Sequence, residues 1–205
     1  ADELILLDIE ASRQQRLISL ELVNEVAEEV TMPFCVGGGI RSIGHIRNII
    51  GSGVEKVIIG TRAVQSPDFI KQASEEFGSS TIAVCIDVKK DLFRKKRVCF
   101  FNGRKTTKIE PVEFAQLMES KGAGELIIQS VDQDGMMNGY DIDLIKAVSS
   151  SVGVPVVALG GAGNERDLVN AVEQGHASSV AAGSLFVYHG KQRGVLINYP
   201  ATRLM

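Results

Sequence analysis

The stretch Glu125–Asp141, ELIIQSVDQDGMMNGYD, decides the fold. It opens as an apolar strand through Leu126, Ile127 and Ile128 and closes on two acids, Asp132 and Asp134, with Gly135 directly after them. An apolar run that ends in carboxylates and a glycine turn suits the C-terminal end of a parallel strand, where α/β barrels place their chemistry. A blander reading gives the acids only the capping of an Asx-type turn. Three other strand ends carry matching features and favour the first reading.

Upstream, Leu4–Leu7 is a short strand ending on Asp8, and Leu17–Val30 has helical spacing, with Leu22, Val23, Val26 and Val30 opposite a row of glutamates. Phe34–Val36 runs into Gly37-Gly38-Gly39, Ser42 suits the cap of the next helix, and Lys56–Ile59 runs into Gly60-Thr61. Ser66-Pro67 reads as an N-cap with Pro at the first helical position, and Thr81–Ile86 is a strand that ends on Asp87. Phe93–Phe101 and Arg104–Lys108 flank Asn102-Gly103 as a two-residue hairpin. Pro111 starts a helix leading back to the opening stretch. Beyond it come a helix from Ile142 to Val148, a strand Val154–Ala158 closed by Gly160-Gly161, and a helix capped by Asn164. The last strand, Ser179–Ala182, is closed by Gly183-Ser184. Alternation of this kind predicts one parallel sheet with helical crossovers.

The pattern repeats. A displacement of 122 residues lays Glu3-Leu4 on Glu125-Leu126, Pro33 on Pro155, Gly38-Gly39 on Gly160-Gly161 and Gly53 on Gly175. Two half-barrels of four βα units make a TIM (β/α)8 barrel, here one domain over residues 1–205. Seven parallel strands are countable, and the counterpart of Asp87 would fall before Ala1. One strand, its loop and its helix are therefore expected to be missing, leaving unpaired edges on Leu4–Asp8 and Ser179–Ala182.

The composition is that of one globular domain long enough to bury a core: 205 residues, 44% hydrophobic, formal net charge −3. That balance predicts no general attraction to nucleic acid or to an anionic membrane, and no apolar run is long enough to span a bilayer. Cys35, Cys85 and Cys99 lie in apolar runs without metal-ligand spacing and read as reduced core thiols of a cytoplasmic protein.

Asp8, Asp87 and Asp134 all stand at strand ends, so one barrel mouth can hold all three. Asp87 is the leading catalytic candidate because its strand is otherwise apolar; helix capping is the alternative for each. Gly38-Gly39 with Gly60-Thr61, and Gly160-Gly161 with Gly183-Ser184, suggest a ligand with a phosphate at each end, since glycine lets backbone N–H groups approach an anion. On that reading Gly161→Val blocks the approach. Arg94, Lys95, Lys96, Arg97, Arg104, Lys105 and Lys108 either screen such a ligand or form a solvated hairpin face. Glu3, Lys56 and Glu125 begin three strands, as solvated ends or as a salt-bridged ring at the opposite mouth. His45, His176 and His189 are weak candidates, and no metal cluster is visible.

Together DELILLDIEAS, PFCVGGGI, IAVCID, GAGELI, SVDQDGMMNGYD and GGAG resemble the cyclase subunit of imidazole glycerol phosphate synthase over essentially the whole chain. The resemblance implies an eightfold barrel that takes ammonia from a partner glutaminase through its core, without cofactor or metal. With that ammonia the barrel of this family cyclises and cleaves a phosphoribulosyl formimino nucleotide to imidazole glycerol phosphate and an aminoimidazole carboxamide ribotide. It implies Asp87 as a general base, Asp134 and Asp8 as supporting acids, the glycine pairs as phosphate sites, and Glu3, Lys56 and Glu125 as part of an ammonia gate. The family's first-strand aspartate, its gate arginine and its mobile loop have no counterpart here, so the 205-residue chain alone is expected to be nearly inactive. Gly60, Gln129 and Leu159 also depart from the family pattern. IEASR, IDVKKDLF and the tail FVYHGKQRGVLINYP lean toward a paralogue that uses ammonia in acetamidino modification of surface-polysaccharide sugars. The sister isomerase of the same pathway and a non-catalytic barrel that binds phosphorylated ligands are the other readings.

Overall fold

The computed structural model describes residues 1–189 together with 194 and 195. Residues 190–193 and 196–205, including most of the GKQRGVLINYP tail, and the side chain of His189 lie outside the described residues.

The chain alternates as β1 (Leu4–Leu7), α1 (Leu20–Glu29), β2 (Phe34–Gly37), α2 (Ile43–Gly51) and β3 (Lys56–Ile59). The one-turn α3 (Thr61–Gln65), α4 (Asp68–Phe77) and β4 (Ile82–Lys90) follow. After the excursion β5 (Lys96–Phe100) and β6 (Lys105–Thr106) come α5 (Pro111–Ser120), β7 (Glu125–Ser130), α6 (Ile142–Ser149) and β8 (Val156–Leu159). The chain closes with α7 (Glu165–Glu173), β9 (Ser179–Ala181), α8 (Ser184–Val187) and the small pair β10 (Tyr188–His189) and β11 (Gly194–Val195). Seven parallel strands form one sheet in the order β1-β2-β3-β4-β7-β8-β9, with β5 added antiparallel to β4 and β6 antiparallel to β5. This is the α/β barrel wall that the alternation predicts.

Strand periodicity sorts the side chains into two layers. Cys35, Ile58, Ala83, Cys85, Ile127 and Val157 cluster with strand residues alone and fill the bore. The alternate residues, among them Val36, Val57, Ile82, Val84, Leu126 and Val156, pack against helix side chains such as Ile46, Ile70, Phe114 and Met118. Burial is uneven along the wall. Every residue of β2 is buried, whereas β1 and β9 keep partial exposure throughout. These outer strands have no second neighbour among the described residues, as the counted strands anticipate.

The duplication extends to individual bonds. Leu4 N donates to Pro33 O at 2.9 Å and Leu126 N to Pro155 O at 3.0 Å. Ile5 pairs with Cys35 and Ile127 with Val157 in the same register. Ser42 caps α2 through His45 N, and Asn164 caps α7 through Asp167 N in a full capping box. All of these match at the 122-residue displacement. Beyond Gly53 and Gly175 the match shifts by one residue, because Cys35 pairs with Lys56 where Val157 pairs with Ser179. His176, with φ of 56°, lies in the loop that holds the extra residue.

Local expectations differ from the structure in four places. Asp87 does not end its strand: β4 continues to Lys90 because β5 supplies a new partner, with Asp87 opposite Cys99. The Asn102-Gly103 hairpin is wider than two residues, since Phe101, Asn102 and Gly103 all take positive φ and pairing resumes only at Lys105. Ser66 makes no side-chain cap; its carbonyl accepts from Phe69 N at 2.9 Å while Pro67 occupies the cap position of α4. Ser19, not Leu17, precedes α1, and Ile18 N is instead used by Gly38 O at 3.1 Å.

The glycines after β2 and β8 are required by packing. A Cβ on Gly39, whose φ is 68°, would overlap the Arg16 carbonyl; one on Gly161, φ 116°, would overlap the Gly139 carbonyl. Gly183 has a negative φ, and its Cβ would meet nothing within 4 Å. Gly39→Ala and Gly161→Ala should therefore each lose about 2 kcal/mol or more in denaturant unfolding. Gly183→Ala should stay within about 1 kcal/mol of the native chain. Equal losses at all three positions would refute the packing account.

Candidate active site

Three inward-facing charges meet at the strand starts. Lys56 Nζ lies 3.3 Å from both carboxylate oxygens of Glu3 and 2.9 Å from Glu125 Oε2. The Cys35 thiol donates to Glu3 as well. Partial burial pulls the Lys56 ammonium down, but the hydrogen bond and charge of Glu125, with Glu3, outweigh it and raise its pKa. Burial and the neighbouring Glu3 push the Cys35 thiol up, so it stays protonated as a donor. The charges named from sequence thus form an ion-paired network rather than solvated ends.

At the opposite end of the bore stands Asp87. It is half-buried, on the inward side of β4 two residues beyond Cys85 and opposite Gln129 of β7. Desolvation is the largest influence on its carboxyl. The Cys85 thiol, 3.5 Å from Oδ1, opposes that shift, and the charge of Asp134 adds to it, leaving Asp87 raised from 3.8 to about 6. Gln129 links the two acids: its Nε2 donates to Asp134 Oδ2 at 3.2 Å, and its Oε1 lies 3.8 Å from Cys85 Sγ.

Asp8 follows the bland reading. Oδ1 accepts from Glu10 N and Ala11 N, both at 3.1 Å, and Oδ2 pairs with Arg16 at 2.5 Å. Desolvation raises its pKa somewhat, but Arg16 and the two backbone donors more than reverse this, and the net shift is downward. Its bonds tie the loop after β1 together and do not join it to Asp87. Asp132 is structural too, accepting from Lys90 N at 2.9 Å.

The remaining motif residues stitch the mouth. Gly139 N donates to Gly161 O at 2.8 Å, Tyr140 Oη to Ala181 O at 2.8 Å, and Val131 N to Val88 O at 3.0 Å. Asp141 caps α6 through Leu144 N and also pairs with Lys96 of β5 at 2.6 Å. Of the basic hairpin, then, Lys96 is a clamp. Arg97 pairs with Asp91 and Glu110, and Lys105 lies over the rings of Phe100 and Phe101. These three are held by the protein itself, which favours the structural reading over a screen for ligand charge.

Gly38-Gly39 and Gly60-Thr61 follow the adjacent strands β2 and β3; Gly160-Gly161 and Gly183-Ser184 follow β8 and β9. Asp87 and Gln129 lie on the two strands between. With neighbouring strands about 4.8 Å apart, the glycine pairs stand roughly 14–19 Å apart along the sheet. Thr61 is already engaged, its Oγ1 accepting from Phe101 N at 3.3 Å. Gly161→Val cannot report on anion approach as expected from sequence, because the Gly139 carbonyl already fills that space. The residues that sequence reasoning passed over are Cys85 and Gln129. The signal was the two-residue period, which sets Cys85 on the same face of β4 as Asp87.

The histidine biosynthesis protein family matches residues 1–193. The chain belongs to this family. A relative in Pseudomonas aeruginosa, provisionally named imidazole glycerol phosphate synthase subunit hisF2, is 46% identical over 199 residues, covering 97% of this chain and 79% of the relative. One in Vibrio vulnificus, provisionally named subunit hisF3 of the same synthase, is 43% identical over 202 residues, covering 98% of this chain and 78% of the relative. The histidine-biosynthesis family is one of TIM barrels, and the parallel wall with alternating helices is its fold. No helix among the described residues is long and apolar enough to cross a membrane.

The sign of the Asp87 contribution to stability follows from its raised pKa. Below about pH 4 both folded and unfolded chains hold the proton and there is no penalty. As pH rises toward about 6 the unfolded chain releases it first, so stability falls and then levels. The stability of Asp87→Asn relative to the native chain should therefore grow between about pH 4 and pH 7, by on the order of 2–3 kcal/mol. Chemical denaturation at several pH values measures this directly. A pH-independent difference would mean that Asp87 titrates like a solvated carboxylate.

Proposed function

We propose that this chain is the ammonia-using cyclase (synthase) subunit of a glutamine amidotransferase complex, acting on a phosphorylated ribotide in the cytoplasm. One observation carries the reading: the Lys56 network and Asp87 lie at opposite ends of the same inward face of the barrel wall. The sister isomerase reaction has no use for an ion network at the lower mouth, and a barrel that only binds ligands has no use for a carboxyl held near neutrality.

Ammonia delivered by a glutaminase subunit at the Glu3–Lys56–Glu125 end would pass the apolar bore residues Ile58, Ala83, Ile127 and Val157. At the upper mouth its nitrogen attacks an electrophilic carbon of the substrate and becomes cationic. Asp87, mostly ionised above its pKa of about 6, accepts the surplus proton. It can return that proton to an oxygen leaving in the cyclisation. Asp134, oriented by Gln129, holds the second carboxylate beside the reacting atoms. The glycine turns after β2–β3 and β8–β9 bind the phosphates at the two ends of the ligand. A second reading, ammonia transfer to a surface-polysaccharide sugar, is favoured by Gln129, whose long amide occupies the ground between the two acids.

The test is ammonia-dependent turnover of the phosphoribulosyl nucleotide, run beside a nucleotide-activated sugar. We expect Asp87→Asn to lower turnover about 10²–10⁴-fold. The 205-residue chain alone should turn over far more slowly than the relatives' full-length proteins. Gly183→Val, at a position where an added Cβ meets nothing within 4 Å, should weaken inorganic phosphate binding in calorimetry. Unchanged turnover in Asp87→Asn on both substrates would overturn the assignment.

A further inference from the structure

The bore just below Asp87 holds a thiol with one proton and two acceptors. Cys85 Sγ lies 3.5 Å from Asp87 Oδ1 and 3.8 Å from Gln129 Oε1. It is buried in the inner cluster, at 8% exposure, among Ile58, Ala83, Ile127 and Val157, none of which offers a hydrogen bond. Among the described residues the thiol has these two acceptors within reach. Gln129 is itself held from the other side, its amide donating to Asp134.

We propose that Cys85 is a positioning residue for the reaction assigned to Asp87: its S–H anchors the Asp87 carboxylate when that group is ionised and turns to the Gln129 carbonyl when it is protonated. The inference deepens the reading of Asp87 as the acid–base group and rests on it.

The chemistry follows from what each partner can offer. An ionised carboxylate is acceptor only, and a charged acceptor takes a hydrogen bond in preference to a neutral amide. A thiol is a weak donor but costs little to bury, so a thiol suits a face that must stay apolar below the site. Burial and the Asp134 and Asp87 charges raise the Cys85 pKa well above its usual value, so the proton remains on sulfur throughout. The S–H bond favours the ionised form of Asp87, against desolvation and the Asp134 charge, which favour the neutral form. Other groups face this carboxyl less directly. Cys99 on β5 bonds the Asp87 backbone carbonyl, at 3.4 Å, and not the carboxylate. The charges of Lys89 and Asp132 act on Cys99. When Asp87 takes up a proton, rotation about the Cys85 C–S bond carries the S–H to Gln129 Oε1 without moving any heavy atom. The two acids are thereby joined through Gln129.

Carboxyl-labelled aspartate NMR on the full chain reads the Asp87 titration without substrate or partner. Cys85→Ala should move the Asp87 midpoint upward by about half a pH unit or more. Cys85→Ser, which keeps a donor, should leave the midpoint at or below the native value. Cys99→Ala should not move it. An unchanged midpoint in Cys85→Ala, or equal upward shifts in Cys85→Ala and Cys85→Ser, would overturn the proposal. If Cys85→Ala does not fold, infrared difference spectra of the native chain across the Asp87 titration provide the second measurement. A thiol stretch that shifts with the Asp87 carboxyl band, and survives in Cys35→Ala and Cys99→Ala, is expected; a thiol band indifferent to pH refutes the idea. The titration stands apart from turnover: loss of activity in Asp87→Asn decides whether Asp87 is catalytic, and the midpoint shift decides whether Cys85 governs it.

Discussion

The loop from Val131 to Asp141 fixes the mouth of this barrel. Parallel strands are joined only by their ladders and their crossover helices, so nothing in the sheet itself sets where the loops at its C-terminal end must sit. Here one loop supplies that order. It bonds back to β4 through Val131 and Asp132, across to the turn after β8 through Gly139, and to β9 through Tyr140. Asp141 then does two jobs with one carboxylate oxygen, capping α6 and receiving the Lys96 ammonium. Burial pushes the Tyr140 phenol further toward its neutral form, which keeps it a donor to the Ala181 carbonyl. The dense sequence motif is explained by this multiplicity of short bonds.

With the mouth held rigid, a half-desolvated carboxylate becomes tolerable. Asp87 costs stability above its pKa, and the surrounding strand compensates with Ile82, Val84 and Ile86, all fully buried. Extending β4 into the β5 hairpin also satisfies the backbone beyond Asp87, which would otherwise be left at a frayed strand end beside the site. The hairpin is therefore as much a support for the acid as an ornament of the surface. Two of its cationic residues serve the same purpose, since Lys96 and Arg97 hold it to Asp141, Asp91 and Glu110.

Most of the wall was legible because its signals are local. Alternation of apolar runs and amphipathic segments gives the strand count, and the displaced repeat gives the equivalence of the halves. The charges at positions 3, 56 and 125 were placed by strand starts alone. What escaped was set by contacts between distant loops. The need for glycine at Gly39 and Gly161 comes also from packing, since each makes room for a neighbouring carbonyl, at Arg16 and Gly139. Asp8 and Asp134 looked alike as acids after strands, but an arginine eight residues on from Asp8 converts it into a turn anchor. Cys85 looked like a core thiol and is one; its second role depends on a Gln129 side chain forty-four residues away, which no local pattern encodes.

The two halves of the molecule agree where they build and differ where they act. Gly38 packs on the backbone of Asp8, and Gly160 packs on that of Ser130, the residue equivalent to Asp8 under the repeat. The same backbone turn is thus made twice, with an acid in one copy and a hydroxyl in the other. At the lower mouth Glu3 and Glu125 are equivalent, but Lys56 corresponds to Ser179 by strand register, so a single ammonium serves both carboxylates. A twofold scaffold offers two like ends, suited to a ligand with like groups at its termini. Chemistry at the centre of such a ligand needs one end distinguished from the other, and the distinction comes from the side chains that break the repeat. Asp87 and Gln129 stand side by side where β4, the strand without a counterpart among the described residues, meets β7.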